Sequence, residues 1–306
     1  MNRKSKLLIM KIVSLFSVIR GYNIPIIILA QYLSAIFILA PEKKPLRVIL
    51  DINLFLIVIA TAITIASGYI INSFYDGKKD LINRPNKSTL DRLVSQKTKL
   101  SVYFTLNFVV SFFTIFISWR AFLYFSVYIF LIWFYSHKVK KFVIIGNLMA
   151  TLMAILPFFA LLLYYKNFYE VILSHATFLF LLLIIREMIK DLENIKGDLA
   201  NDYKTIPILY GEKTSKKIIT SLTLLTVIPV YLLIEKFEIG NMDLYFYSCL
   251  LVLILFLIKL WKSEFKEDYL MLHNLLKFLI VAGVFCIVLI NPNLISNLWH
   301  KINTFF

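Results

Sequence analysis

The feature that most constrains this chain is a series of long apolar runs that recur along its length. A helix needs about 20 apolar residues to cross roughly 30 Å of hydrocarbon, and several runs reach that length. Hydrophobic residues make up 60% of the chain, whereas soluble domains contain about 45–50%. The alternating segments of β-barrels are absent from the sequence. These runs therefore predict an all-α, polytopic membrane protein.

The apolar runs divide the chain into about nine predicted transmembrane helices. We expect them to lie between residues 23 and 291, within one transmembrane domain that comprises residues 1–306, and to surround a central apolar cavity. The predicted spans are 23–41, 52–72, 99–118, 121–135, 142–164, 170–187, 218–235, 244–261 and 273–291. The fourth is the shortest of these runs.

Residues 1–22 precede the first predicted span and begin with several basic residues. Lys11, Ser14 and Ser17 recur near helical spacing, and Ile12 and Leu15 lie on the opposite side. A cleaved signal peptide is not expected, because Lys11 interrupts the apolar run and no small-residue cleavage pattern follows. The pattern instead predicts an amphipathic helix at the membrane surface.

Basic residues are distributed unevenly between the two faces of the predicted membrane domain. Most of the 33 Lys and Arg residues fall in the N-terminal segment, in loops 73–98, 136–141 and 188–217, and between the last two spans. Nine spans place all of these on one face, which the positive-inside rule assigns to the cytoplasm. Contact with anionic lipid headgroups accounts for the net charge of +15. We therefore expect no nucleic-acid partner, and no obligate protein partner is evident.

Acidic residues are few, but they concentrate where the second and sixth predicted spans end on this basic face. After the second span, Asn72, Asp76 and Asp80 follow one another at steps of four. Residues four apart lie on the same face of a helix, so these three predict a row of oxygen atoms.

A second row follows the sixth predicted span. Glu187, Asp191, Asn194 and Asp198 are separated by steps of four, three and four, and Asp202 extends the pattern by another four. The two rows occupy corresponding positions, which indicates a parallel duplication in which each half supplies one row.

Two rows of carboxylates with basic residues between them are suited to a diphosphate bound through Mg²⁺. Magnesium usually takes one or two carboxylates together with phosphate oxygens and water. Asn72 can orient such a ligand without adding charge. The cations available for the remaining phosphate charge are Arg20, Lys78, Lys79, Arg84 and Lys140. Either row alone would more often be a solvated helix face, but two rows in corresponding places favour a site.

The motifs around these rows resemble the signatures of the UbiA-type intramembrane prenyltransferases. The first signature corresponds to the pattern N-x-x-x-D-x-x-x-D from Asn72 to Asp80, followed by INRPNK. The second corresponds to REMIKDLENIKGD, which begins at Arg186, and to KTIP, which begins at Lys204. The resemblance covers roughly residues 19–212. Other matching pieces are Arg20 with Asn23, Tyr135 with Ser136 and Lys140, and Gly146 with Asn147.

The resemblance implies a Mg²⁺-dependent enzyme that transfers an isoprenyl group from its diphosphate to a lipid-soluble acceptor. Asp76 and Asp80 would hold one Mg²⁺, and Asp191 with Asp198 another. Lys140 and Arg20 would bind phosphate oxygens, while Tyr135 would flank the reacting carbon. Asn23 would belong to the substrate-binding residues. Within the family, the REMIKDLENIKGD and INRPNK runs are most similar to digeranylgeranylglyceryl phosphate synthases, which use geranylgeranylglyceryl phosphate as acceptor.

The second signature departs from the family pattern at two positions. Asn194 stands where the family commonly has Asp, and Asp202 stands where it commonly has Gly. The second pair of carboxylates is therefore displaced by four residues, to Asp198 and Asp202. This leaves open which of Asn194, Asp198 and Asp202 completes the second metal site.

Two alternative functions remain open. An aromatic acceptor, such as a quinone or haem precursor, would require the same chemistry with a pocket of different shape. A membrane transporter is the alternative from another class, although transporters typically place polar groups near the bilayer midplane. All of these functions require an integral multi-pass membrane protein, in the inner membrane if the source is a bacterium, and the active site of the enzyme is expected on the cytoplasmic side.

Overall fold

A computed structural model describes residues 3–294 of the chain, without the side chains of residues 3–8. Residues 1–2 and 295–306, the ends of the predicted domain, lie outside this description. The secondary structure of residues 3–294 is helical and includes no β-strand. The predicted all-α class is therefore confirmed.

Thirteen helices carry the fold between residues 3 and 294. In chain order they are α1 (Arg3–Val18), α2 (Ile24–Leu39), α3 (Ile52–Tyr75), α4 (Gly77–Asn83), α5 (Pro85–Asp91), α6 (Gln96–Ile117), α7 (Trp119–His137), α8 (Ile145–Tyr165), α9 (Glu170–Glu193), α10 (Ile195–Leu199), α11 (Ile206–Lys236), α12 (Gly240–Lys262) and α13 (Lys266–Ile290). Short helical turns lie at Pro45–Ile49 and Val139–Lys141.

Eight of the described helices, namely α3, α6 to α9 and α11 to α13, are long and apolar enough to cross a membrane. The first predicted span, 23–41, corresponds to α2, which is shorter than these eight. The prediction of about nine spans therefore resolves into eight long helices and one shorter apolar helix. The fourth predicted span, 121–135, was too short, since α7 has 19 residues. The seventh, 218–235, is the later part of α11, which begins at Ile206.

Several long helices begin at residues that cap their first turn. Asp51 before α3, Ser95 before α6 and Ser118 before α7 each accept hydrogen bonds from backbone N–H groups of the following turn. These N–H groups have no partner within a helix, so a side-chain oxygen at this position stabilises the helix end. The cap at Ser118 marks the boundary between α6 and α7, although both helices are strongly apolar.

Helices α3 and α9 form the centre of the bundle. In each of these two helices, 67% of the most apolar 18-residue stretch is buried inside the protein. The buried share of the corresponding stretch does not exceed 33% in any other described helix long enough to span a membrane. Helix α3 packs against α6 and α7, and α9 packs against α8, α11 and α13. Small residues allow close packing of α3, since a Cβ atom on Gly68 would lie 3.0 Å from Ile132 of α7. The two most buried helices are therefore those that lead into the two acidic rows.

A proline within α8 interrupts the hydrogen bonding of that helix. Pro157 lacks an N–H group, so the carbonyl of Met153 loses its usual partner within the helix. The Tyr128 hydroxyl donates a hydrogen bond to the Met153 carbonyl oxygen at 2.9 Å. Gln31 of α2 donates to the Pro157 carbonyl at 3.0 Å. Side chains from α2 and α7 therefore satisfy the irregular backbone.

Helix α1 packs against the loop helix α5 through polar side chains. Ser14 donates a hydrogen bond to the Leu90 carbonyl at 2.8 Å, and Ser17 donates to the Asp91 carboxylate at 2.9 Å. Ile12 on the other side of α1 is exposed. The predicted two-sided helix is therefore present, but part of its polar face contacts protein.

Candidate active site

A cavity of about 520 Å³ lies between α2, α3, α8, α9 and α13. One end, called the polar end here, is lined by the acidic rows and includes Asp76 and Asp198. The rest is largely apolar and extends to Phe178 and His175. Asp191 and His175 are both on α9 and both line the cavity, so it follows that helix for roughly 24 Å at a rise of 1.5 Å per residue. The cavity is therefore long enough to hold an extended hydrocarbon chain with its charged end at the carboxylates.

The first acidic row lies where α3 gives way to the short helix α4. The Asp76 N–H donates to the Asn72 carbonyl at 2.9 Å, and the Asp80 N–H donates to the Asp76 carbonyl at 2.9 Å. This spacing continues the helical pattern across the junction and places Asn72, Asp76 and Asp80 along the cavity wall. A four-residue periodicity in the sequence is sufficient to predict this row.

The second acidic row has the same arrangement at the end of α9. The helix ends at Glu193, and the Asp198 N–H donates to the Asn194 carbonyl at 3.0 Å. Asp191, Asn194 and Asp198 line the cavity, as does Glu187. Asp202 does not, because α10 ends at Leu199 and Asp202 has a left-handed backbone with φ of 59° and an exposed side chain. The row therefore ends at Asp198.

The two rows converge at the polar end of the cavity. Lys79 of α4 forms an ion pair with Asp198 of α10. Tyr203, which follows α10, donates a hydrogen bond to Asp76 at 2.9 Å. The helices α4 and α10 approach closely, since a Cβ atom on Gly197 would lie 2.3 Å from the Asn83 side chain. One phosphate-bearing ligand could therefore contact both rows.

Lys140 and Tyr135 complete this polar end from α7 and the following turn. The Lys140 ammonium donates to the Asp76 carboxylate at 2.5 Å and is almost fully buried, with 6% of its side chain exposed. Tyr135 lines the same part of the cavity. Asp76 is therefore held by Lys140 and by Tyr203, both of which point to one of its oxygens, Oδ1.

The charges at the polar end shift the pKa of each group in a definite direction. Burial favours the neutral form of Asp76, but the ammonium groups of Lys140 and Lys79 more than offset it and lower the pKa of the carboxyl. Burial also disfavours the charged form of Lys79, yet Asp198 and Asp76 raise its pKa above the ordinary value. For Lys140, burial prevails over Asp76 and lowers the pKa. The ammonium groups of both lysines are thus held by ion pairs with carboxylates and not by solvent.

Two carboxylates at the polar end are short of partners. Burial, followed by repulsion from Asp76, raises the pKa of Asp80, whose carboxylate has no hydrogen bond or ion pair with any other described residue. Burial also raises the pKa of Asp198 despite its ion pair with Lys79. The Asp198 Oδ2 atom is buried and has no hydrogen-bond partner. Both groups would therefore be stabilised by a cation.

The donor set fits Mg²⁺ when phosphate oxygens complete the coordination. Residues 3–294 contain no group of three or more His, Cys, Asp or Glu that could hold a metal ion by themselves. Magnesium does not require such a group, because it is commonly held by one or two carboxylates together with substrate phosphates. The Asp80 carboxylate, which has no hydrogen-bond or ion-pair partner among the described residues, and the buried Oδ2 of Asp198 are ligands of the kind that this mode of binding needs.

The structure brings together nearly all of the residues that the sequence singled out. The cavity is lined by Arg20, Asn23, Asn72, Asp76, Lys79, Asp80, Arg84, Tyr135, Lys140, Asp191 and Asp198. Lys78 and Asp202 are not among the lining residues, and both are exposed. Lys78 and Lys79 are adjacent, and neighbouring residues of a helix point about 100° apart, so only one of them can face the cavity.

Two residues that contact the carboxylates were not predicted to belong to the site. Tyr203 donates to Asp76, and its ring lies 4.1 Å from the Lys79 ammonium. Asn147 of α8 donates to Asp191 at 2.8 Å. The aromatic Tyr203 directly follows the acidic segment, which is the signal that could have indicated it. Asn147 was noted only as part of a matching motif.

Comparison with known proteins identifies one family. The model of the UbiA prenyltransferase family matches residues 28–278. A digeranylgeranylglyceryl phosphate synthase from Sulfurisphaera tokodaii is 28% identical over 235 residues, covering 72% of this chain and 80% of that protein. The synthase of the same name from Methanobrevibacter smithii is 32% identical over 219 residues, covering 68% of this chain and 73% of that protein. The resemblance noted in the sequence is thereby confirmed.

Solved structures share the fold. A structure described as a digeranylgeranylglyceryl phosphate synthase in membranes has a TM-score of 0.68 at 21% identity, covering 92% of this chain and 98% of that one. A UbiA homolog from Archaeoglobus fulgidus bound to GPP and Mg²⁺ has a TM-score of 0.66 at 14% identity, covering 90% of this chain and 99% of that one. At these sequence identities, the similarity to the solved structures shows the fold alone.

Proposed function

This chain belongs to the UbiA prenyltransferase family, and we propose that it transfers an isoprenyl group, with Mg²⁺, from its diphosphate to a lipid acceptor. The observation that carries this proposal is the convergence of two acidic helix ends at the polar end of a long apolar cavity. The names of the relatives support geranylgeranyl as the transferred group and geranylgeranylglyceryl phosphate as the acceptor. Mg²⁺ as the cofactor is supported by its presence in the related solved complex.

The carboxylates of the two rows are proposed to hold the metal. Asp76 and Asp80 would hold one Mg²⁺, and Asp191 with Asp198 would hold another. When bound, Mg²⁺ would neutralise the charge that develops on the departing diphosphate. The unpaired oxygens of Asp80 and Asp198 support this assignment. The exposed position of Asp202, outside the cavity lining, does not support it as a ligand.

The cations of the polar end are proposed to bind the diphosphate oxygens. Lys79 and Lys140 would exchange their carboxylate partners for phosphate, since both lie beside the carboxylates and line the cavity. Preorganised charges of this kind stabilise a leaving group in a site from which water is excluded. Asn72, Arg84 and Arg20 line the same end and supply further donors.

The proposed reaction exchanges one carbon–oxygen bond for another. The bond between the allylic carbon and the diphosphate breaks, and its electron pair leaves with the diphosphate. The hydroxyl oxygen of the acceptor then forms a bond to that carbon, and its proton passes to the released diphosphate. Tyr135 would flank the reacting carbon, where an aromatic face stabilises positive charge. The apolar remainder of the cavity would bind the isoprenyl chain, at about 0.8 kcal/mol for each buried CH₂ group.

The two alternative functions are transfer to an aromatic acceptor and membrane transport. An aromatic acceptor would use the same carboxylates and lysines, so it differs only in what fills the acceptor position. A transporter is not supported, because the chain belongs to a family of prenyltransferases.

The distribution of basic residues over the loops supports a site that opens on the cytoplasmic side.

Transfer of a labelled isoprenyl group tests the proposed function. The purified protein is incubated with labelled geranylgeranyl diphosphate, Mg²⁺ and either geranylgeranylglyceryl phosphate or an aromatic acceptor, and the products are identified by mass. We expect the digeranylgeranyl lipid and an equal amount of diphosphate. Absence of transfer to every acceptor with donors of ten to twenty carbons would sink the proposal.

A further inference from the structure

Lys277 is a charged residue within the membrane-spanning helix α13 that the proposed carboxylate site does not use. It lines the cavity, and its ammonium group lies 5.1 Å from the ring of Tyr22, which precedes α2. A charged side chain in a membrane helix is costly unless it meets a partner or lines a polar path. The Lys277 ammonium has no hydrogen bond or ion pair with any other described residue.

The charged groups that act on Lys277 are themselves cations. They are Arg186 of α9 and Arg20, and both repel the Lys277 ammonium. Both also line the cavity. Arg20 makes no ion pair with a described residue and stacks on Tyr69 at 4.9 Å. These three residues, called the basic cluster here, therefore concentrate positive charge on one part of the cavity wall.

Arg186 has a donor that no residue of the protein satisfies. Its Nη2 atom donates to Glu187 at 2.9 Å, but Glu187 is shared with Lys190, which donates to it at 2.7 Å. The Nε atom of Arg186 is buried and has no hydrogen-bond partner. A buried donor without an acceptor is destabilising, so this group points to an anionic ligand in the cavity.

Lys277 and Arg186 are not among the groups proposed to bind the donor diphosphate, whereas Arg20 is common to both sites. Lys79 and Lys140 are paired with carboxylates of the two acidic rows, whereas Lys277 and Arg20 have no such pair. Arg20 also acts on Asp80 electrostatically, so it lies near the first acidic row as well as near Lys277. A second anion bound by the cluster would thus lie next to the diphosphate.

We propose that Arg20, Arg186 and Lys277 form a second anion site, which binds the phosphomonoester of the lipid acceptor. This inference rests on the proposed function and extends it, because a basic cluster in the cavity would favour an acceptor that carries a phosphate over one that lacks it. The contact of Lys277 with the exposed Tyr22 places the site at the seam between α2 and α13. An acceptor lipid would enter from the bilayer along this seam.

The test compares two acceptors that differ only in the phosphate. Transfer to geranylgeranylglyceryl phosphate and to its dephosphorylated form is measured for the wild type and for Lys277→Gln, with the donor concentration varied separately. We expect Lys277→Gln to raise the KM for the phosphorylated acceptor about tenfold or more. The KM for the donor and transfer to the dephosphorylated acceptor should stay unchanged. Lys277→Arg should restore most of the loss, and Lys262→Gln, a change at an exposed lysine of α12, should have no effect.

Binding in the absence of metal provides a second readout. The basic cluster contains no carboxylate ligand, so the wild type should bind the phosphorylated acceptor in EDTA, and Lys277→Gln should bind it at least about tenfold more weakly. Equal effects on the donor and acceptor KM would overturn the inference, as would a wild type that does not discriminate between the two acceptors. Displacement of the acceptor by equimolar phosphatidylglycerol would assign the cluster to a bilayer phospholipid and would also overturn it. A wild type without any transfer would instead refute the proposed function.

Discussion

Lys79, on the short helix after α3, forms an ion pair with Asp198, on the short helix after α9. The two residues are far apart in the sequence and belong to different acidic rows. Their contact joins the ends of the two most buried helices of the bundle at the polar end of the cavity. The proposed chemistry depends on this junction, because one diphosphate must contact both acidic rows.

Removal of one carboxylate from either row should abolish transfer. We expect Asp80→Ala and Asp198→Ala each to lower kcat roughly a hundredfold or more, because a lost metal ligand leaves the departing charge less stabilised. Isoprenyl transfer is measured at saturating Mg²⁺, and retention of the helical fold is checked by circular dichroism. Asp202→Ala is the matched control in the same segment and should retain wild-type activity, since Asp202 is exposed. A loss in Asp202→Ala as large as that in Asp198→Ala would contradict our assignment of the second row.

Chelation of divalent metal should stop transfer without unfolding the protein. We expect the fold to persist without metal, because the ion pairs of Lys79 with Asp198 and of Lys140 with Asp76 are made by the protein's own side chains. We expect EDTA to remove all transfer, added Mg²⁺ to restore it, and the helical circular dichroism signal to stay unchanged throughout. Transfer that continues in EDTA would show that the carboxylates act without metal.

Substitution of Tyr203 should affect turnover through Asp76. Tyr203→Phe removes the hydroxyl that donates to Asp76 but keeps the ring beside Lys79. We expect kcat to fall by about tenfold, as for the loss of a hydrogen bond to a charged group, with little change in thermal stability. Tyr203→Ala should lower kcat further because it also removes the ring. Full activity in Tyr203→Phe would show that Asp76 is positioned by Lys140 alone.

The close approach of α4 and α10 should make Gly197 intolerant of a side chain. A Cβ atom on Gly197 would lie 2.3 Å from the buried Asn83 side chain, so Gly197→Ala must displace the Asn83 amide or move the two short helices apart. We expect a loss of about 1–3 kcal/mol in stability together with reduced transfer. Gly77→Ala on α4 is the matched control, since its Cβ atom would meet only Gln96 at 3.8 Å. Thermal unfolding in detergent and a transfer assay on both variants provide the measurement, and equal behaviour of the two would argue against the tight junction.

Properties that depend on local periodicity could be predicted from the sequence. The length of the apolar runs indicated helices that cross a membrane, since 1.5 Å of rise per residue must span the hydrocarbon. The steps of four from Asn72 to Asp80 indicated one face of a helix, and all three residues line the cavity. These features follow from helix geometry alone, so they required no knowledge of neighbouring elements.

Properties that depend on how helices pack against one another were decided by the tertiary structure. The periodicity of the sequence extended the second row to Asp202. In the structure α10 ends before that residue, and the left-handed backbone of Asp202 turns its side chain away from the cavity. Lys78 and Lys79 are neighbouring lysines with the same side chain. Only the orientation of α4 relative to α10 decides that Lys79, and not Lys78, forms the ion pair with Asp198. The contacts of Tyr203 with Asp76 and of Lys277 with Tyr22 likewise join segments distant in sequence. The sequence alone thus determined the helices and their polar faces, whereas the relative orientation of those helices, which arises from side-chain packing between them, decided which polar groups meet.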